Sequence, residues 1–181
     1  MGVDGQGGSW IKKGLAVGYA ASMGLARTPE LYRCGAALAP VTDLYDFVSS
    51  QRWNLYNAGD KLAWGDLREE GEKERLMRNS PVRLAEQFEA PVLLAHGRHD
   101  KVVPYGHSKQ MKAALDDAGK KSELVIYEDS HDSVHQPNRI DFYQRLEKFL
   151  KECTAQRRRT ASPLVGRATG AGPRVGWGVD G

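Results

Sequence analysis

A short apolar run that leads into a charged loop constrains this chain more than any other segment. Residues 91–96 read PVLLAH, which has the length and composition of a strand buried in a parallel sheet. Asp100 follows four residues after the end of that run. Open α/β sheets place their chemistry beyond the carboxyl ends of the strands. Asp100 is therefore either a functional carboxylate or the cap of a helix in a surface turn.

A second strand candidate favours the functional interpretation. Residues 123–127 read ELVIY, and His131 follows them. Because the carboxyl ends of parallel strands meet at one edge of a sheet, we expect His131 to lie within reach of Asp100. A carboxylate that accepts the Nδ1–H of a histidine fixes the tautomer and stabilises the imidazolium that forms when the ring takes a proton from a serine. The two residues have the pattern of the acid and the base of a catalytic triad.

The rest of the chain alternates apolar runs with helical patterns. A third strand is predicted over residues 34–41, and a helix over residues 108–118 that Gly119 ends. A further helix is predicted after Pro137, with an apolar stripe of Ile140, Tyr143, Leu146, Phe149 and Leu150. This alternation indicates the α/β class, with a mostly parallel sheet flanked by helices.

A polar insert interrupts this alternation between residues 43 and 79. It carries Trp53, Tyr56 and Trp64. We expect it to be helical and to lie over the mouth of the sheet.

Composition narrows the class of protein. The chain has 181 residues, of which 40% are hydrophobic and 27% charged, enough for one domain. No apolar run approaches the ~20 residues of a membrane helix, and the first residues lack the pattern of a signal peptide. Cys34 and Cys153 are far apart and have no CxxC spacing, which favours free thiols. We predict a cytoplasmic protein that does not bind membranes.

The last residues explain the net charge of +3. Five arginines and one aspartate fall within residues 154–181, which are rich in Gly, Ala and Pro and have no apolar period. We predict a disordered start at 1–9, a partial α/β domain at 10–152 and a disordered basic tail at 153–181. The run of arginines at 157–159 is interpreted as solvated charge, so no nucleic-acid partner is predicted.

Several motifs, in order, resemble the catalytic domain of the prolyl oligopeptidase family of serine peptidases, which includes dipeptidyl peptidases and acylaminoacyl peptidases. They are GLARTPELYRCGAALAPVTDL at 24–44, the continuous stretch 80–131, and RIDFYQRLEKFL at 139–150. The resemblance implies an α/β-hydrolase fold, a peptide substrate and catalytic residues in the chain order Ser, Asp, His. Asp100 then matches the acid and His131 the base. No cofactor and no metal are predicted.

The histidine loop departs from the family pattern, which has a Gly-His-Gly-Phe-like run. Alignment on residues 134–137 places Asp132 at the position of the base, and a shift of one residue restores His131. We favour His131, with His135 as a surface residue. His131 and His135 also have the spacing of a zinc-binding HExxH motif, but Pro137 and the strand before them indicate a loop and not the helix that this motif needs.

The nucleophile turn departs further. The family has Gly-x-Ser-Tyr-Gly-Gly-Tyr, of which only Val-Gly-Tyr at 17–19 remains, and this register puts Leu15 where the serine belongs. Residues 10–16 resemble the end of the helix that precedes the nucleophile strand. We hypothesise that roughly a dozen residues, comprising the strand and the turn, are lost between Ala16 and Val17.

Ser22 is the substitute nucleophile that the sequence offers. Residues 20–24 fit an Ala-x-Ser-x-Gly turn, and residues 15–19 could form the strand before it. Pro29 follows too soon for the helix expected behind such a turn, so Ser22 is otherwise a helical residue. Ser9 has no strand before it.

Three functions stay open. The first is a serine peptidase catalytic domain of the prolyl oligopeptidase group that hydrolyses short peptides, inactive in this chain because the serine turn is absent. The second is a small active serine hydrolase that uses Ser22. The third is a non-catalytic interaction protein on a hydrolase scaffold. A sheet that lacks a strand also has exposed edges through which copies of the chain could associate.

Overall fold

The computed structural model describes residues 10–13, 15–50, 67–131 and 135–160. They contain a four-stranded parallel sheet in the order β1-β2-β3-β4. Its strands are β1 Trp10–Lys13, β2 Gly35–Leu38, β3 Val92–Gly97 and β4 Ser122–Tyr127. Leu38 pairs with Lys13 on one side and with Ala95 on the other, and Gly97 pairs with Tyr127. The carboxyl ends of all four strands therefore lie at one edge of the sheet.

Helices follow each strand. They are α1 Leu15–Arg27, α2 Leu44–Ser49, α3 Glu72–Arg78, α4 Gly106–Asp117 and α5 Gln136–Thr160, with 3-10 turns at Pro29–Leu31 and Pro81–Gln87. None of these helices has an apolar stretch of the length that a bilayer crossing requires.

Two apolar layers cover the two faces of the sheet. One face packs against α1, α4 and the second 3-10 turn, and it includes Val92 and Leu94 of β3. The other face packs against α5 and includes Leu93 and Ala95. Both faces of β3 are covered and the whole strand is buried, which agrees with the apolar run at its first four residues. The predicted α/β class is confirmed, and the sheet lies between two layers of helices.

The predicted strands and the helix before Gly119 agree with the structure to within a few residues. Gly119 has a φ of +68° and follows the C-cap residue of α4, Ala118, as expected of a glycine that ends a helix. The stripe predicted for α5 is partly wrong. Ile140 and Tyr143 are 49% and 56% exposed, while Phe142 is buried together with Leu146.

The interpretation of residues 10–16 as the end of a helix is wrong. Residues 10–13 form β1, which lies beside β2 at the position where we expected the sheet to lack a strand. α1 then runs without a break across Ala16 and Val17. The loss of a segment between these two residues stays a hypothesis, but the place of the strand is occupied.

Two other predicted segments are described only in part. The polar insert contributes α2 and α3, but Trp53, Tyr56 and Trp64 lie outside the described residues. The tail predicted from residue 153 begins as helix, because α5 continues to Thr160 and Cys153 is buried in the core. Residues 1–9 and 161–181 are not described.

Candidate active site

The carboxylate of Asp100 lies in the loop that follows β3. Its Oδ1 accepts hydrogen bonds from the backbone N–H groups of Val102 and Val103, each at 2.8 Å. The side chain is fully buried. Burial raises the pKa of the carboxyl, but hydrogen bonds from His131, His96 and the two backbone N–H groups outweigh burial and hold the pKa well below its usual range. Asp100 is therefore ionised at neutral pH.

His131 lies in the loop that follows β4 and contacts Asp100. Its Nδ1 is 2.6 Å from Oδ2 of the carboxylate. An ionised carboxylate only accepts hydrogen bonds, so Nδ1 carries the proton and Nε2 of the neutral ring is the nitrogen with the lone pair. The His131 side chain is 17% exposed, whereas that of Asp100 is 0% exposed. The side chain of His131 is thus accessible to a reactant and that of Asp100 is not.

Close backbone packing holds the two loops together. The N–H groups of Arg98 and His99 donate to the carbonyl oxygens of Tyr127 and Asp129. A Cβ on Gly97 would lie 2.5 Å from the carbonyl oxygens of Asp129 and Ser130. Only glycine at position 97 leaves room for the loop that carries His131.

The side chain of Asp129 ties the histidine loop to the start of α5. It is buried and accepts hydrogen bonds from the backbone N–H groups of Ser130 and His135 and from Nδ2 of Asn138. His135 itself is exposed, as predicted, while Asp132 lies outside the described residues. No motif in the sequence indicated this role of Asp129.

His96 is a second histidine at the carboxylate. It is fully buried and its two ring nitrogens have partners, as expected of a core histidine: Nδ1 lies 2.7 Å from Oγ of Ser108, and Nε2 lies 2.9 Å from the carbonyl oxygen of Val103. Nε2 is also 3.2 Å from Oδ2 of Asp100, a contact that the sequence did not predict. Ser108 contacts His96 and His96 contacts Asp100, as serine, histidine and aspartate do in a catalytic triad. However, Ser108 is 0% exposed and no substrate reaches it.

The structure places Ser22 inside α1 and not on a turn after a strand. Residues 15–19, proposed as that strand, are helical, so the strand interpretation is wrong. Ser22 is 2% exposed, and its hydroxyl donates to the carbonyl oxygen of Gly18 at 2.9 Å. This is the bond that a serine in the middle of a helix makes to its own backbone. The expected arrangement of a nucleophile, exposed at a sharp turn, is not found at Ser22.

A strand-to-helix turn does occur one element earlier. β1 ends at Lys13 and α1 begins at Leu15, with Gly14 between them outside the described residues. In an α/β hydrolase this connection carries the nucleophile. Lysine, glycine and leucine offer neither a hydroxyl nor a thiol there. The position agrees with the sequence register that put Leu15 in place of the serine.

Among the residues whose placement is described, no group of three or more His, Cys, Asp or Glu side chains could hold a metal ion.

Comparisons with known proteins agree on the family. The sequence profile of the prolyl oligopeptidase family matches residues 16–157. The chain is 29% identical over 174 residues to dipeptidyl aminopeptidase BIII of Pseudoxanthomonas mexicana. This match covers 94% of this chain and 25% of that protein. The chain is also 32% identical over 142 residues to dipeptidyl peptidase 4 of Felis catus. That match covers 75% of this chain and 17% of the relative.

The fold is similar to that of the uncomplexed acylaminoacyl peptidase of Pyrococcus horikoshii, with a TM-score of 0.66 and 23% identity over 76% of this chain and 22% of that chain. The chain thus spans about a quarter or less of the length of the relatives that it matches. The family profile covers most of the chain, and the sheet with its flanking helices is that of the α/β-hydrolase peptidases. The chain therefore belongs to the prolyl oligopeptidase family, as a serine-peptidase-like domain.

Proposed function

We propose that this domain forms the acid and base half of a serine peptidase site for peptide substrates, and that the chain alone does not cleave them. The observation that carries the proposal is the 2.6 Å hydrogen bond between Asp100 and His131 at the carboxyl edge of the sheet. Family membership supports peptides as the substrate class.

The geometry suits proton transfer in acyl transfer chemistry. In such a site a serine hydroxyl attacks the carbonyl carbon of the peptide, and the histidine takes the hydroxyl proton on Nε2. In His131 the basic nitrogen is Nε2, because Nδ1 donates to Asp100. The buried, ionised carboxylate would then stabilise the imidazolium.

Within the described parts of the chain, neither candidate position supplies a nucleophile. The connection between β1 and α1 has glycine at position 14, and Ser22 is buried with its hydroxyl bonded to its own helix. Removal of the serine from a working triad lowers kcat by about 10⁶-fold. We therefore expect no measurable hydrolysis by the unaltered chain. No observation favours the small serine hydrolase or the interaction protein over this proposal.

The test is labelling with a fluorophosphonate probe, which phosphonylates activated serines, together with hydrolysis of a dipeptidyl aminomethylcoumarin substrate. The unaltered chain is expected to show neither. Gly14→Ser and Leu15→Ser each place a hydroxyl at the turn, and at least one of them is expected to become labelled. The matched control is the same variant with His131→Ala, which is expected to lose the labelling.

Two outcomes would contradict the proposal. Labelling of Ser22 in the unaltered chain would support the small serine hydrolase instead. The second outcome is that both turn variants fold cooperatively but label no faster than their His131→Ala controls. The turn then does not face His131, and Asp100 and His131 are not the acid and base of a peptidase site.

Location and assembly belong to the same proposal. Cys34 and Cys153 are both buried free thiols, which supports a reducing, cytoplasmic compartment. Alkylation of the protein in intact cells, followed by mass spectrometry, tests whether both thiols are free there. β1 and β4 are the outer strands of the described sheet, and their open edges support self-association, which the molar mass in solution tests.

A further inference from the structure

We propose that His96, supported by Ser108, is a positioning residue that fixes the carboxylate of Asp100 for its bond to His131. This inference rests on the proposed function, because it adds a residue to the same acid and base pair. It starts from one carboxylate oxygen that two histidines share.

Oδ2 of Asp100 lies between the two imidazole rings. His131 Nδ1 is 2.6 Å away and His96 Nε2 is 3.2 Å away. Oδ1 is occupied separately by the backbone N–H groups of Val102 and Val103. Donors on both oxygens restrain rotation of the carboxylate, and we infer that the single Nε2–H of His96, shared between the carbonyl oxygen of Val103 and Oδ2, limits the movement of Oδ2 away from its place beside His131.

The contacts of His96 determine its tautomer. Nε2 is 2.9 Å from the carbonyl oxygen of Val103, which can only accept, so Nε2 carries the proton. Nδ1 is then an acceptor, and the hydroxyl of Ser108 donates to it at 2.7 Å. The opposite tautomer would point a lone pair at two acceptor oxygens, those of Val103 and Asp100. Ser108 therefore selects the form of His96 that can donate to the carboxylate.

Burial separates this role from catalysis. His96 and Ser108 are both 0% exposed, so neither can touch a peptide. His96 comes from β3, Ser108 from α4 and Asp100 from the loop between them. The three side chains link the strand, the loop and the helix that surround the acid, and His96 acts only through Asp100.

Nuclear magnetic resonance of the full chain with ¹⁵N-labelled histidine tests the proposal. The Nδ1–H proton of His131 is expected at low field because its hydrogen bond to the carboxylate is short and charge-assisted. His96 is expected in the Nε2–H tautomer. In His96→Leu the low-field signal is expected to move to higher field or disappear, whereas His96→Gln, whose amide can still donate, is expected to retain it. In Ser108→Ala, His96 is expected to lose its single tautomer and the low-field signal to weaken.

The possible outcomes separate the two proposals. An unchanged low-field signal in folded His96→Leu would overturn the positioning role while leaving the acid and base pair intact. If His96→Leu does not fold, Ser108→Ala tests the positioning role instead. An unchanged tautomer of His96 together with an unchanged signal of His131 in that variant would overturn the role. If the unaltered chain lacks the low-field signal, the bond between Asp100 and His131 is absent. The proposed function then fails, and the positioning role of His96 fails with it.

Discussion

Asp100 and His131 are 31 residues apart in the chain and are joined side chain to side chain by a hydrogen bond of 2.6 Å. The strands that carry them pair in parallel, with Gly97 opposite Tyr127, so both loops begin at the same level of the sheet. The sheet places the two side chains together, and neither needs a long loop to reach the other.

The pH dependence of stability is expected to depend on Asp100. Hydrogen bonds lower the folded pKa of this carboxyl below its unfolded value of about 3.9, so its stabilisation is complete above that pH and is lost as the pH falls towards the folded pKa. Asp100→Asn is expected to lower the free energy of unfolding at neutral pH by about 2–4 kcal/mol. Urea unfolding from pH 6 to pH 3 measures the gap between the two proteins, which is expected to narrow below about pH 4 by at most ~1.4 kcal/mol per pH unit. If the difference in unfolding free energy between the two proteins stayed constant over this pH range, the lowered pKa of Asp100 would be contradicted.

Gly97→Ala is expected to destabilise the histidine loop. The added methyl group would lie 2.5 Å from two backbone oxygens, which cannot move without displacing residues 129 and 130. Overpacking of this kind costs about 1–3 kcal/mol. Gly106→Ala is the matched control, because nothing lies within 4 Å of its added Cβ. Thermal unfolding of both variants is expected to show a lower Tm for Gly97→Ala alone, and equal effects would refute the packing argument.

Alanine substitutions at the neighbouring acidic residues 128 and 129 are expected to differ sharply in their cost to stability. Asp129→Ala leaves two backbone N–H groups and the Asn138 amide without their acceptor, at a cost of about 2–4 kcal/mol. Glu128 is 66% exposed and pairs with Arg98 and His99 at the surface, so Glu128→Ala is expected to cost at most about 1 kcal/mol. Urea midpoints compare the two variants. A larger loss in Glu128→Ala would show that the surface ion pairs, and not the buried cap, hold the loop.

Ser22→Ala is expected to leave the fold nearly unchanged. The serine hydroxyl bonds to Gly18 within the same helix, and alanine has the higher helix propensity, so the two effects offset to within about 0.5 kcal/mol. Far-UV circular dichroism and chemical unfolding measure the difference. A labelling signal in the unaltered chain that this variant abolished would restore Ser22 as a nucleophile.

The sequence was sufficient for the parts of the fold that depend on buried strands. β3 and β4 are apolar runs with short charged loops behind them, and parallel pairing then brings Asp100 to His131. It was not sufficient for residues 15–19, because a short apolar run fits a strand or a buried helix equally well. Contact with another segment distinguishes the two: α1 passes so close to Pro40 that a Cβ on Gly18 would lie 2.8 Å from its Cα.

Three other features also depend on tertiary contacts. The lysines of β1 gave it no apolar run, and only its pairing with β2 makes it a strand. In α5 two overlapping stripes are apolar, and the sheet covers the one that contains Phe142 and Phe149. The contact of His96 with Asp100 depends on how the loop folds back over the end of β3.

The hydrogen bonds of Asp100 all come from residues 96–131, a single strand, helix and strand unit. A change upstream that removes the attacking group leaves every one of these bonds in place. Because each buried polar group left without a partner costs about 1–3 kcal/mol, selection for a stable fold alone is enough to preserve Asp100 and His131. An intact aspartate and histidine pair in a domain of this kind is thus evidence of inheritance, and the turn between β1 and α1 is the place to look for present activity.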